Sequence, residues 1–304
     1  MACSAPSFAD PIVKAMFQLG YVTNGLADVD AVQAIDLLHE IGYAGVGFAL
    51  DAGLLNPFAA DLQPEIERVR ERLNQCDMRC VVETGARFLL DPTVKHEPTL
   101  VSPGPVDRAR RVDFLCRAID IATALDADCV SIWSGRVHDG AGDRVAMDRL
   151  ADGLAAALGH AELHGMPLAF EPEPGMFIDS MTRYADLLNE LSTRRVDLSH
   201  LRLTIDIGHL QCQGELPIAA YLCEWADRLV NIHIEDMRAG VHEHLMFGDG
   251  EIDFPPVIAA LTDLGYTGPV NVELSRHAHV GPQAARQAYD FLTSQSRVLT
   301  ADKR

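Results

Sequence analysis

Short apolar runs alternate with longer stretches of helical period from one end of this chain to the other. That alternation predicts βαβ units building a parallel sheet. Strands are expected at Ala15–Tyr21, Gly45–Leu50, Arg79–Thr84, Cys129–Trp133, Pro167–Glu171, Leu203–Ile207, Leu229–Ile234 and Val270–Leu274. Eight is the number that a closed (β/α)8 barrel requires, so the predicted fold class is α/β, a single (β/α)8 TIM barrel. The helical stretches between them show apolar residues at matching intervals, as at Val32, Ile35, Leu38 and Ile41, or at Val145, Leu150, Leu154 and Leu158. Asp107 and Thr182 stand where N-caps are expected and Pro255 suits a first helical turn, while Gly42, Gly165 and Gly265 follow candidate helices as C-terminal glycines do.

No linker rich in Gly, Ser or charge divides the 304 residues. The chain therefore reads as one domain, residues 1–304, with a terminal tail after about Thr293. The one conspicuous irregular stretch is Gly85–Pro105, which carries Arg87, Lys95, His96 and several prolines. Following the third strand, it would overhang the mouth where barrel enzymes work. It reads either as a substrate lid or as a disordered excursion.

Strand residues alternate faces, so one set of each strand points into the barrel lumen. In the last four strands the apolar set is Leu168 and Phe170, then Leu203, Ile205 and Ile207, then Ile232 and Ile234, then Val270, Val272 and Leu274. Their alternates are Ala169 and Glu171, Thr204 and Asp206, Asn231 and His233, and Asn271 and Glu273. Four consecutive strands thus end on a lumen-facing Glu, Asp, His and Glu. Any one of these alone is more often a hydrogen-bonded structural residue than a ligand. Together, crowded carboxylates demand a compensating charge, and one divalent cation held by Glu171, Asp206, His233 and Glu273 would supply it. The oxygen-rich donor set favours Mn2+, with Mg2+, Co2+ and Zn2+ as alternatives. Glu173, flanked by Pro172 and Pro174 just above Glu171, reads as a substrate contact or as a rim carboxylate. Trp133, at the lumen end of the fourth strand, suits the apolar face of a substrate or simple packing.

The segments Phe170-Glu171-Pro172, Asp206-Ile207-Gly208-His209, His233-Ile234-Glu235-Asp236 and Val272-Glu273-Leu274 resemble the strand-end motifs of the xylose isomerase-like barrel superfamily, the group that includes AP endonuclease family 2-like proteins. The stretch His244–Phe254, with its Gly248-Asp249-Gly250, adds to the likeness, which spans nearly the whole chain. The superfamily holds ketose epimerases, hydroxypyruvate isomerases, inosose dehydratases and AP endonucleases. The resemblance implies that Glu171, Asp206, His233 and Glu273 hold the metal, that His209 bonds a substrate oxygen, that Arg238 contacts substrate, and that the barrels associate as homo-oligomers.

A metal chelating a ketone and its neighbouring hydroxyl would stabilise an enediolate, with Glu171 and Glu273 as the base and acid on opposite faces. The expected activity is therefore isomerisation or epimerisation of a small sugar-like ketone. A dehydratase of the inosose or dehydroshikimate kind would share the first step. His242 and His244 resemble the Asp-x-His of AP endonucleases and raise a second metal, or His244 as a substrate contact, or a solvated loop pair. A non-catalytic barrel ranks last, because the ligand set is complete.

Composition narrows the partners. A formal net charge of −19 opposes nucleic-acid binding, which rests on phosphate neutralisation. No apolar run is long enough for a membrane span, and the first six residues, Met1–Pro6, lack a basic and apolar leader. Hydrophobic residues at 48% and charged ones at 23% match an ordinary globular chain. Seven cysteines without Cys-x-x-Cys spacing argue against a thiolate zinc site or disulfide framework, and so for a reducing cytoplasm. The partner expected is a small sugar-like molecule.

Overall fold

The eight strands close. A computed structural model describes residues 18–26 and 29–302, with side chains described to residue 295. The strands are β1 (Gln18–Val22), β2 (Gly45–Ala49), β3 (Arg79–Glu83), β4 (Val130–Ile132), β5 (Leu168–Phe170), β6 (Leu201–Asp206), β7 (Leu229–Ile234) and β10 (Pro269–Val272). They pair in parallel around a barrel in the order β1-β10-β7-β6-β5-β4-β3-β2. A two-stranded antiparallel ribbon, β8 (Asp236–Arg238) with β9 (Val241–Leu245), follows β7. The predicted (β/α)8 TIM barrel is the observed fold. Each predicted strand has its counterpart, though residues 15–17 of the first lie outside the described residues, as do Met1–Pro6.

The long helices are α1 (Ala31–Ile41), α2 (Leu62–Cys76), α3 (Pro105–Leu125), α4 (Asp143–His164), α5 (Met181–Thr193), α8 (Phe254–Asp263) and α9 (Gly281–Asp302), with short α6 (Ile207–Gln213) and α7 (Ile218–Glu224) between β6 and β7. Their apolar faces bury Ile35 and Leu38, Phe114 and Ile119, and Leu150, Leu154 and Leu158 against the sheet's outer face, where Phe48, Phe170 and Ile232 lie fully buried. Val145, predicted to share that face, is 48% exposed, because it falls in the first turn of α4, ahead of the packed stretch. Capping also differs in places. Ser180 rather than Thr182 accepts the Arg183 N–H at the start of α5, and Gly104 precedes α3, so Asp107 sits inside its first turn. Gly42 and Gly165 end α1 and α4 in the left-handed conformation, as predicted. The last helix continues past Thr293, where a tail is expected, to Asp302.

No helix among the described residues is long and apolar enough to cross a membrane, and the described cysteines are free thiols.

Candidate active site

Register sets the height of the site. Asp206 pairs directly with His233 across β6 and β7. Glu273 follows β10 and donates its N–H to Ile234 O at 3.3 Å, while Glu171 follows β5 and donates to Ile132 O at 2.7 Å. Four strand ends therefore deliver their side chains to one level, and donor atoms of Glu171, Asp206, His233 and Glu273 all lie within 4.8 Å of one another. The strand predicted to run to Ile207 stops at Asp206, because that carboxylate accepts the His209 N–H at 3.0 Å and so caps α6.

Beneath this level a belt of polar groups crosses the lumen. Ser131 Oγ lies 3.2 Å from Thr204 Oγ1, Asn231 Nδ2 donates to Thr204 Oγ1 at 3.3 Å, and Asn271 Nδ2 donates to Asn231 Oδ1 at 3.0 Å. Gly20 makes room for it, since a Cβ there would sit 2.0 Å from Asn271 Oδ1.

His233 is the hub of the carboxylates. Its Nδ1 lies 3.2 Å from Glu171 Oε1 and 3.1 Å from Glu273 Oε2, while Nε2 lies 2.9 Å from Glu83 Oε1. Asn24 Nδ2 donates to the other Glu273 oxygen at 2.7 Å. Burial works against charge on the ring, but Glu83, Glu171 and Glu273 outweigh it and raise its pKa well above the imidazole norm. Burial would likewise raise Glu273, yet His233, His244 and the Asn24 amide hold it well below the carboxylate range. Glu171 goes the other way: burial pushes it up to about 7 against the pull of His233. Burial, with Glu171 and Glu273 adding repulsion, pushes Glu173 up to about 8. Asp206 Oδ2 is buried without a hydrogen-bond partner. With His209 Nε2 no nearer than 3.5 Å, a buried acceptor beside two more carboxylates is what a divalent cation would satisfy, so the donor set fits one.

Above the carboxylates opens a cavity of about 380 Å³. Glu171, Glu173, His233 and Glu273 line it, as do Trp133, His209 and His244, while Asp206 is buried beneath. His209 is fixed by Pro172 O, 3.3 Å from Nδ1, and by His242 Nε2, 3.0 Å from Nε2; burial lowers its pKa to about 3. Burial disfavours charge on His244 too, yet Glu235 and Glu273 prevail and raise it to about 10. The ribbon that carries His242 and His244 is organised by Asp236, whose carboxylate accepts from the N–H groups of Met237, Gly248, Gly250 and Ile252 at 2.8–3.1 Å. Gly250 must lack a side chain, because a Cβ would stand 2.2 Å from Asp236 Oδ1.

Arg238 does not reach the cavity. It ends β8, exposed, with its guanidinium donating to Asp249 O at 2.7 Å. Arg276, which follows β10 by four residues and bonds Glu243, brings a guanidinium to the mouth instead. The loop after β3 is a packed wall rather than a disordered excursion: Leu90, Leu100 and Val101 are fully buried, and Arg87, Lys95 and His96 line the cavity. His96 anchors it through Nδ1, 2.6 Å from Gly85 O, and meets Trp133 edge to face. Behind Trp133, the fully buried Arg111 of α3 stacks on that ring and on Phe114 and donates to Thr84 O at 2.7 Å. Sequence reasoning missed Glu83, Asn24 and Arg276 as members of the site, and placed His96 there only as part of the overhanging loop. The first was within reach, because Arg79, Val81 and Glu83 form the alternate set to Cys80 and Val82 on β3.

Fold and site together define a parallel eight-stranded barrel protein with a carboxylate–imidazole centre at the carboxyl ends of its strands. The chain belongs to the xylose isomerase-like TIM barrel family, whose sequence profile matches residues 35–295. It is 24% identical over 236 residues to the L-ribulose-5-phosphate 3-epimerase UlaE of Shigella flexneri serotype 5b (strain 8401), covering 73% of this chain and 80% of that one. Among solved structures it is similar to a D-tagatose 3-epimerase-like protein, at TM-score 0.76 and 18% identity, over 95% of this chain and 100% of the other. It is also similar to the 3-keto-D-glucoside 4-epimerase YcjR from E. coli, at TM-score 0.73 and 16% identity, over 91% and 99%.

Proposed function

We propose that this chain is a divalent-metal-dependent epimerase or isomerase of a small ketose or related sugar, with Glu171 and Glu273 as its proton-transferring carboxylates. The observation that carries the reading is the convergence of Glu171, Asp206, His233 and Glu273 beneath the cavity. These four would hold the ion, Mn2+ ahead of Mg2+, Co2+ or Zn2+, because three carboxylates and one imidazole make a largely oxygen donor set. When bound, the ion supplies polarisation of the substrate's ketone oxygen, which acidifies the adjacent C–H. That the similar proteins are named as epimerases of ribulose 5-phosphate and a keto-glucoside supports a sugar substrate.

Glu171 and Glu273 directly follow β5 and β10, with β6 and β7 between those strands, and both line the cavity. One carboxylate oxygen takes the proton from the carbon beside the ketone, and the other returns a proton to the opposite face. The stereocentre inverts with no net change in oxidation. Return to the neighbouring carbon would instead interconvert aldose and ketose. Glu83 holds His233 Nε2 and so turns Nδ1 toward the carboxylates, the outer-shell arrangement that orients a metal-ligating imidazole. His209 would offer Nε2 to a substrate hydroxyl in place of its contact with His242, Trp133 an apolar surface to the sugar ring, and Glu173 and His244 polar contacts above them. The meeting of His209, His242 and His244 is the feature a phosphodiesterase reading would draw on, but the charge of −19 opposes a polyanionic substrate. The reaction would run in the cytoplasm on a small molecule.

The test is incubation of Mn2+-loaded protein with free and phosphorylated ketoses in deuterated water. Deuterium should enter the carbon beside the ketone in recovered sugar and its epimer, and Glu171→Gln and Glu273→Gln should each slow that exchange by roughly a thousandfold. No exchange with any ketose would sink the reading, and an enone product would convert it to a dehydratase.

A further inference from the structure

A second constellation of metal-ligand types lies far from the mouth, on the outside of the barrel. His160 and His164 stand four residues apart in the last turns of α4, so their rings share one face of the helix. Asp120, in the last turns of the neighbouring α3, meets both: its Oδ1 lies 2.7 Å from His160 Nε2 and 3.4 Å from His164 Nε2. The two rings lie with centroids 4.7 Å apart. All three side chains keep solvent access, at 27%, 32% and 55%. These helices run back from the strands' carboxyl ends, so their last turns lie at the end of the barrel opposite the cavity.

We infer that Asp120, His160 and His164 form a transition-metal site, with zinc as the fitting ion, that clamps α3 to α4. Three donor atoms of the required types lie within 4.8 Å of one another. Two ligands held about 2.1 Å from a tetrahedral zinc ion stand about 3.4 Å apart, the separation seen for His164 and Asp120. The His160 contact needs to open by less than an ångström, which exposed side chains at helix ends accommodate by rotation. Two imidazoles and one carboxylate leave a fourth position for water. The mixed nitrogen and oxygen donors also select against Mg2+ and Ca2+, which prefer all-oxygen shells. The inference is independent of the sugar chemistry, because no residue is shared with the cavity. Its effect falls on how the two helices hold together rather than on turnover.

Calorimetric titration of the chelator-stripped full chain with Zn2+ tests it. The double variant His160→Ala/His164→Ala should bind one equivalent fewer than the unaltered chain, whatever number the cavity takes. Asp120→Asn should weaken that same equivalent at least tenfold. With Co2+ as probe, the unaltered chain should show a tetrahedral visible band that the double variant loses, while circular dichroism stays the same. Equal stoichiometry and affinity in the unaltered chain and the double variant would overturn the assignment and leave the cavity's reading untouched.

Discussion

Glu83 is the residue whose role is most sharply testable. It touches His233 through one bond of 2.9 Å to Nε2, the nitrogen turned away from Glu171 and Glu273. Replacing it with Gln keeps the shape and an amide oxygen that can still accept, but removes the charge, so the imidazole loses the carboxylate that holds its Nε2–H most strongly. Outer-shell changes of this kind cost roughly 10- to 100-fold in metal affinity. Glu83→Gln should therefore weaken Mn2+ binding by that factor with little change in melting temperature, as measured by titration against a fluorescent chelator. Unchanged affinity would place the contact outside the metal's support. Asn24 plays the matching part for Glu273, and the two together show how β1 and β3, strands with no donor in the four-residue set, still shape the centre.

At the scale of elements, the ribbon after β7 depends on one carboxylate that collects four backbone N–H groups. Gly250→Ala would drive a methyl group into Asp236, and forced crowding in a packed site costs about 2 kcal/mol. The expected result is a melting temperature lowered by several degrees and a loss of deuterium exchange, because His242 and His244 ride on that ribbon. An unaltered melting curve would show that the turn relaxes. This ribbon also marks where the sequence ceased to be legible. Strand positions follow from short apolar runs set between stretches of helical period, and the two-residue alternation within the last four places Glu171, Asp206, His233 and Glu273 on one face. The ribbon has no long apolar stripe, and its course is set by Asp236 bonding residues 12 to 16 positions away, which no local pattern encodes. For that reason Arg238, two residues past Asp236, looked like a substrate contact yet turns outward, whereas Arg276 after β10 faces the mouth. Glu83 escapes for a different reason: it ends β3, apart from the four consecutive strands whose lumen sets close on ligand types.

On the scale of the whole molecule, six acidic side chains (Glu83, Glu171, Glu173, Asp206, Glu235 and Glu273) crowd around His209, His233 and His244, in a chain already carrying −19. A bound divalent ion relieves that repulsion in the folded state alone, so it must stabilise the fold by mass action. Mn2+ at 100 times its dissociation constant should contribute about 2.7 kcal/mol, and chelation should lower the melting temperature by several degrees and reversibly. A melting curve indifferent to both Mn2+ and chelator would contradict the metal centre. The barrel also ties its outer layer to its interior in one unexpected place. Arg111 belongs to a peripheral helix, yet its planar cation backs the indole that walls the cavity and grips the backbone at the end of β3. Selection for altered substrate preference therefore has a handle remote from every loop at the mouth: rotating or sliding that single helix would tilt the indole, and the chamber would change shape without any of its own lining being replaced.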